Sequence, residues 1–359
     1  MKAVVELSGE IGFAKAGKQL GNLTAGVLST ATVWRMKEKV CCAAQAAAEA
    51  EGRAVYEKGE RPSVEGRRKV ARLFVEADGV FVRLQGEDST HMEIKCGIAY
   101  EGWERLGSKR EAYRLRGKRV YVHGHPGLHF GEGAGLAWSH YWDWRRVQEV
   151  IVGGDGAHWI GTGTAWFEPS FRQLDGFHLA RAACRALGGE AGQTLFETMR
   201  HGDFDTATHL WEDPPKRKHK SAQPAIRWLT RLLTNHQGQD WRAHRHCEDE
   251  TLRALGTMEG NIAHLVADRM KGKGRSWSRH GGLHMAILRQ LIVNDELALW
   301  CRRQPHSPPP RLTTKKPYRK RTRDTASWLQ VAVPALQGPH ANRPWTQILK
   351  KQVYPHIPN

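Results

Sequence analysis

Cysteine is sparse and unpatterned: Cys41, Cys42, Cys96, Cys184, Cys247 and Cys301 include no CxxC pair, so no disulfide framework is expected. No apolar run approaches the roughly 20 residues of a membrane span, and the first residues lack a signal-peptide pattern. The expectation is a protein of the reducing cytoplasm, associated with the nucleoid and with no membrane partner. Acids are outnumbered too. Asp plus Glu total 37 against 55 Lys plus Arg, giving a net charge of +18 and a pI near 9.9. An acidic polymer is therefore the first partner to consider, nucleic acid before lipid. With 359 residues the chain can form one large domain with appendages or two to three smaller ones.

Where acids are scarce, those on apolar strands stand out. Val150-Ile151-Val152 reads as a short buried strand, and Gly153-Gly154-Asp155-Gly156 then exposes one carboxylate at its end. Phe171-Arg172-Gln173-Leu174 leads into Asp175-Gly176-Phe177-His178, after which Leu179, Ala182, Ala183 and Leu187 recur at helical spacing. Acids at the carboxyl ends of neighbouring strands sit where open α/β sheets place their chemistry. Upstream, residues 73–82 alternate as a strand that puts Asp78 on the face of Phe74, Val80 and Val82. A carboxylate on a buried face is expensive unless paired or bound to metal. Residues 91–100 and 118–123 add two strands separated by charged turns, which makes an antiparallel meander ahead of the parallel unit. Residues 138–147 read as a crossover helix, and Gly131-Glu132-Gly133-Ala134-Gly135 as a plain turn. In the helical pattern 251–270, Glu259 shares a face with Ile262, Ala263, Val266 and Met270, which predicts a third inward acid.

The cationic segments flank this unit. Residues 14–40 have helix-turn-helix spacing: a break at 21–26, Ser29 as N-cap, Val33 and Met36 inward, and Arg35 and Lys39 towards a groove, although any helical hairpin has the same pattern. The loop Arg269-Met270-Lys271-Gly272-Lys273-Gly274-Arg275-Ser276-Trp277-Ser278-Arg279 suits a phosphate backbone, with Trp277 placed to meet a base. His244-Arg245-His246-Cys247 has no second pair at zinc-site spacing and reads as polar surface. The expected divisions are a helical segment 1–66, a core of 67–187 and 251–301, a helical insertion 188–250 with a basic knot at 216–220, and a basic Pro-rich arm 302–359.

The blocks VEADGVFVRLQ, VIVGGDGAHWI, QLDGFHL and MEGNIAHLVADRMKGKGRSWS together resemble the ISLre2-type (UPF0236) insertion-sequence transposases, and more distantly the Mutator and IS256-type DDE enzymes. The likeness runs over residues 70–293. It implies an RNase H-like core, a mixed five-stranded sheet with flanking helices, and a DDE triad carried onto Asp78, Asp155 and Glu259. Such a triad would hold two Mg²⁺ (or Mn²⁺) ions roughly 3.5–4 Å apart for phosphodiester chemistry. The Asp175…His178 spacing matches the acid-x-x-His signature of the Mutator-like relatives, beside the catalytic site. Asp175 read from its residues alone could equally be a helix N-cap. The implied partners are the terminal inverted repeats of an element and target DNA, bound by a homo-oligomer assembled on the ends. The chain begins late relative to the family pattern, so an N-terminally shortened copy is expected, and the alternative to an active transposase is a non-catalytic DNA-binding relic.

Overall fold

The computed structural model describes residues 1–24, 28–86, 89–107, 112–124, 127–167, 170–211, 222–245, 249, 252–272 and 274–304. Its strands are β1 (Arg72–Arg83), β2 (His91–Tyr100), β3 (Trp103–Leu106), β4 (Ala112–Leu115), β5 (Arg119–Val122), β6 (Glu149–Gly154) and β7 (Ser170–Leu174). Five of them form one sheet in the order β5-β2-β1-β6-β7. β1 pairs antiparallel with β2 from Phe74↔Tyr100 to Arg83↔His91, and β2 pairs antiparallel with β5. On the other side β1 runs parallel to β6, and β6 parallel to β7. The sheet is therefore mixed, a meander joined to a parallel unit. Between β2 and β5 the sequence suggests only charged turns, but β3 and β4 pair there as a separate hairpin. Trp103 anchors it, its ring 4.8 Å from that of Phe74 and 5.3 Å from that of Tyr100.

β1 is buried on both faces, so its alternation sorts side chains between two cores. Phe74, Val80 and Val82 face a cluster built with Val40, Cys41, Ile98, Ile262, Val266, Met285 and Leu288. Leu73, Val75 and Ala77 face another, built with Tyr121, Phe130, Trp138, Trp142, Val150 and Val152. The helices in chain order are α1 (Lys2–Glu10), α2 (Phe13–Thr24), α3 (Thr30–Tyr56), α4 (Phe130–Ser139), α5 (His158–Gly163), α6 (Gly176–Leu187), α7 (Gly189–His201), α8 (Phe204–Trp211), α9 (Gln223–Thr234), α10 (Trp241–His244), α11 (Met258–Ile262), α12 (Asp268–Met270), α13 (Arg279–Val293) and α14 (Leu297–Arg302). A π-helical turn, Ala263–Ala267, joins α11 to α12. All the described residues lie within one compact unit.

Ser29 caps α3, its hydroxyl accepting from Thr32 N at 3.1 Å. Val33 is buried against Val4, Ala16 and Leu20, Met36 is partly buried, and Arg35 is exposed. The second helix of the hairpin does not end there: it continues for 27 residues, about 40 Å at the α-helical rise, and buries Val40, Cys41 and Ala44 in the core beneath the sheet. Helices α6 to α9 enclose a smaller cluster of Leu179, Ala183, Leu195, Met199, Leu229 and Leu232. The basic knot at 216–220, His246, Cys247 and the stretch 305–359 of the Pro-rich arm lie outside the described residues.

The glycines at 131–135 belong to the crossover helix, which starts at Phe130 and not at residue 138. Glu132 caps its start, Oε2 accepting from His129 N at 2.6 Å. Glycine serves contact here: a Cβ on Gly133 would lie 1.9 Å from Tyr121 Oη and 2.8 Å from its Cζ. That phenol is 3% exposed and wedged against Phe130 and Trp138. In a helix interior Gly→Ala ordinarily stabilises by about 1 kcal/mol. Gly133→Ala should instead destabilise by ~1–3 kcal/mol, the usual cost of overpacking, in urea unfolding followed by circular dichroism. A gain in stability would show that α4 does not need this close approach.

Candidate active site

Register brings the acids together. Ala77 pairs with Gly154, and Gly154 with Leu174. The next residue on each strand path is Asp78, Asp155 and Asp175, so three aspartates form one row across β1, β6 and β7. Neighbouring strands stand about 4.8 Å apart, close enough for adjacent carboxylates to share a ligand. Glycine clears the row: a Cβ on Gly154 would meet Ile160 at 2.8 Å, and one on Gly153 would meet Leu255 at 2.8 Å.

Each aspartate is fixed by one oxygen. Asp78 Oδ1 accepts from Gly79 N at 2.7 Å, and Asp155 Oδ1 accepts from Ala157 N at 2.8 Å. Asp175 Oδ1 accepts from Phe177 N at 2.8 Å and His178 N at 3.1 Å, with His178 Nδ1 at 3.2 Å. Asp175 is thus the N-cap of α6. The three Oδ2 atoms take no partner among the described residues, nor does the carboxylate of Glu259. Asp78, Asp155, Asp175, His178 and Glu259 line one cleft of about 240 Å³, together with Glu76, Phe177, Arg181, Leu255 and Met258. Burial pushes the Asp78 carboxyl above its ordinary value. Asp155 and Asp175 add to that, while the Gly79 N–H and His178 oppose it.

Glu259 reaches this cleft by a route other than the expected one. The helix begins at Met258, so Glu259 lies in its first turn, exposed, while Met258, Ile262, Leu265, Val266 and Met270 fill the core. It does not share their face. What positions it is Glu76, which sequence reading passed over. This carboxylate is 2% exposed. Its Oε2 accepts from Gly256 N, Thr257 N and Met258 N at 2.9, 2.8 and 3.2 Å, and its Oε1 from Thr257 Oγ1 and Tyr100 Oη at 2.6 and 2.7 Å. An anion on the free N–H groups of a helix start is favourable. The available signal was the alternation Glu76-Ala77-Asp78, which puts a second acid on the buried face. Arg181 and Phe177, the latter 59% exposed, were also missed. They sit on α6 one turn apart, and only the fold turns them to the cleft.

The basic loop divides. Arg269 is buried, donates to Ser8 O from Nε and Nη2 at 3.3 and 3.1 Å, and lies over the rings of Phe13 and Trp277. Desolvation lowers its pKa to about 10. It holds α1 to the core and is closed to a phosphate. Trp277 is likewise packed: its Nε1 donates to Met270 O at 3.0 Å and its backbone bridges to Leu84. Arg275 Nη1 donates to Asp268 O and Arg269 O at 2.8 and 2.7 Å, closing the end of α12. Lys271 and Arg279 are exposed, Lys39 is half-buried, and Lys273 lies outside the described residues. His244 stacks on Phe171 at 4.4 Å, a packing contact.

A mixed α/β sheet carrying a carboxylate cleft at the ends of its parallel strands sets the class. The chain belongs to the Uncharacterised protein family (UPF0236), whose profile matches residues 2–300. A UPF0236 protein of Caldanaerobacter subterraneus subsp. tengcongensis is 25% identical over 249 residues, covering 67% of this chain and 52% of the relative. A second from that organism, whose name runs together eleven locus designations, is 25% identical over 255 residues, 67% of this chain and 51% of the relative. The UPF0236 protein in the vanSb 3′ region of Streptococcus gallolyticus is 28% identical over 313 residues, 80% and 62% of the two chains. The chain spans about half the length of the Caldanaerobacter relatives. Among solved structures, the Drosophila P element transposase strand transfer complex aligns at 9% identity over 79% of this chain and 83% of that one, with a TM-score of 0.21, too low to argue from.

Two acids on one strand face should respond oppositely to loss of charge. Glu76→Gln puts an amide NH₂ among donors and should cost at least ~2 kcal/mol in urea unfolding. Asp78 has a raised pKa, so its ionised form weakens the metal-free fold above that pKa. Asp78→Asn should raise Tm at neutral pH by ~1–3 °C, with the difference vanishing below the ordinary aspartate range, where both side chains are neutral. Equal effects from the two substitutions would erase the distinction.

Proposed function

We propose that this protein is a DDE-type transposase that cuts and rejoins DNA at the ends of its own insertion element, with an RNase H-like core. The observation that carries the reading is the row Asp78, Asp155 and Asp175, each tied down by Oδ1 with Oδ2 unclaimed among the described residues, and sharing one cleft with Glu259. The strand order, with an antiparallel meander beside two parallel strands, supports it. So does the net charge of +18. A relative whose name joins eleven loci is what a self-copying element would leave.

The donor set fits Mg²⁺ or Mn²⁺: carboxylate oxygens only, hard and anionic, on a rigid sheet edge. Asp78 and Asp155 would hold both ions and Glu259 would complete one site. Bound there, the ions would lower the pKa of an attacking water or 3′-hydroxyl and stabilise the leaving oxygen. The protein's own groups do the rest. Arg181 and His178 face the cleft as the cationic and imidazole donors for a phosphate. Phe177, exposed at its rim, would stack on a base at the strand end. Asp175 caps α6 and so sets where His178 stands. Exposed Lys271, Arg279 and Arg35, with Lys39, would track the duplex backbone. Arg275 would add to the field of that loop while it closes α12.

The test is cleavage and strand joining on DNA carrying the element's ends. Asp78→Asn, Asp155→Asn and Glu259→Gln should each lower Mg²⁺-dependent activity at least ~100-fold with circular dichroism unchanged. Near-parental activity in any of them removes that residue from the triad. Asp175→Ser keeps a capping oxygen, so it separates the two roles: a drop of about tenfold or more with unchanged melting, the scale of a positioned acid–base group, assigns Asp175 to the chemistry, and full activity leaves the cap alone. On duplex DNA, Lys271→Ala and Arg279→Ala should each flatten the log K against log salt slope by about 0.9. An unchanged slope takes that residue off the DNA path.

A further inference from the structure

A second group of ligand-type side chains stands where α3 crosses α13, and none of its members lines the carboxylate cleft. Glu38 and Cys42 are one turn apart on α3, and His280 and His284 one turn apart on α13, so each pair shares a helix face. Their four donor atoms all lie within 4.8 Å of one another. Cys41, next in sequence to Cys42, pins the crossing by donating its thiol to His284 O at 3.2 Å.

The hydrogen bonds around the group fix which atoms are free to bind. Gln45 Nε2 donates to Glu49 Oε1 at 2.9 Å and to Gly124 O at 3.0 Å, so its Oε1 is an acceptor. That oxygen is 2.9 Å from His284 Nε2, which must therefore carry a hydrogen. His284 Nδ1 then points at Glu38 Oε2, 2.6 Å away, with Cys42 Sγ at 4.0 Å. His280 Nε2 lies 2.9 Å from the same Oε2. Lys37, fully buried, takes the other carboxylate oxygen, Oε1. Two ring nitrogens thus converge on one carboxylate oxygen with the thiol beside them, and His284 Nδ1, whose partner nitrogen already donates, needs a proton or a cation between it and that oxygen. A proton on His284 would satisfy that nitrogen but leaves the thiol without a role. A metal ion uses all four groups. Gln45 on the far nitrogen of His284 and Lys37 on the far oxygen of Glu38 are the outer contacts that orient ligands in metal sites.

We propose that Glu38, Cys42, His280 and His284 bind one zinc-type ion that clamps α3 to α13. A mixed nitrogen, sulfur and oxygen set selects a borderline cation over Mg²⁺. Tetrahedral bonds of about 2.0–2.3 Å put donors roughly 3.3–3.8 Å apart, so small side-chain shifts complete the site. Cys42 and His280 are exposed and give the ion its entry, while Glu38 and His284 are buried. The ion would fix the base of the helix that carries Arg35 and Lys39.

The experiment uses the full chain, stripped with chelator, in the Asp155→Asn background to weaken binding in the cleft. Titration with Co²⁺ should saturate at one ion per chain with a thiolate-to-metal charge-transfer band, and Zn²⁺ should displace it. Cys42→Ser should abolish the band, and His280→Ala should weaken Zn²⁺ binding at least about tenfold, as loss of a ligand or its support does. Both side chains are exposed, so the variants fold, and Zn²⁺ should raise the Tm of the parent more than that of either variant at the same concentration. Absence of the thiolate band, or Zn²⁺ affinity unchanged in both variants, would overturn the site and leave a protonated His284 paired with Glu38.

Discussion

A single buried carboxylate holds the proposed active site in shape. Glu76 gathers five donors, three of them backbone N–H groups at the start of α11 and one the hydroxyl of Tyr100 on the neighbouring strand. It thereby ties the central strand to a helix 180 residues later in the chain. Without that bond the N-terminus of α11 would have to find other partners for its free N–H groups, and Glu259 would lose its place in the cleft of Asp78. Burial raises the pKa of Tyr100, and the same anion, by its charge and its hydrogen bond, raises it further. The phenol therefore stays a donor.

The cleft beside it obeys the opposite logic. Glu76 is saturated, whereas Asp78, Asp155 and Asp175 keep one oxygen each unclaimed among the described residues. Like charges at strand spacing repel, and the raised pKa of Asp78 records part of that repulsion on top of burial. Such an arrangement stores a preference for a cation, and the sheet cannot relax it, because the aspartates follow directly on paired strand residues. The cost is local, and the two hydrophobic layers on β1 stabilise the strand that bears it.

Local pattern was enough to find the aspartates. Period-two alternation gave the face of Asp78, and glycines after apolar strands marked Asp155 and Asp175; the parallel register then placed all three in one row. Long-range partners were not legible. Arg269 reads as a loop cation, yet its acceptor is Ser8, 261 positions away. Trp277 reads as a stacking platform and is a packed ring under that arginine. Glu259 reads as inward because helical periodicity was extended back through residues where Glu76 begins the helix instead. The glycines at 131–135 read as a turn because their function, close approach of α4 to Tyr121, lies on another element. Among the described residues no helix is long and apolar enough to cross a membrane.

The central claim is that the row of aspartates and Glu259 form a divalent-cation site of all-oxygen character. Anomalous diffraction from crystals grown with Mn²⁺ tests it most directly. The account requires a manganese peak in the cleft, within coordination distance of Asp78 and Asp155, that disappears in Asp155→Asn crystals grown identically. A cleft that stays free of manganese, with the only peak between Glu38, Cys42, His280 and His284, would contradict it.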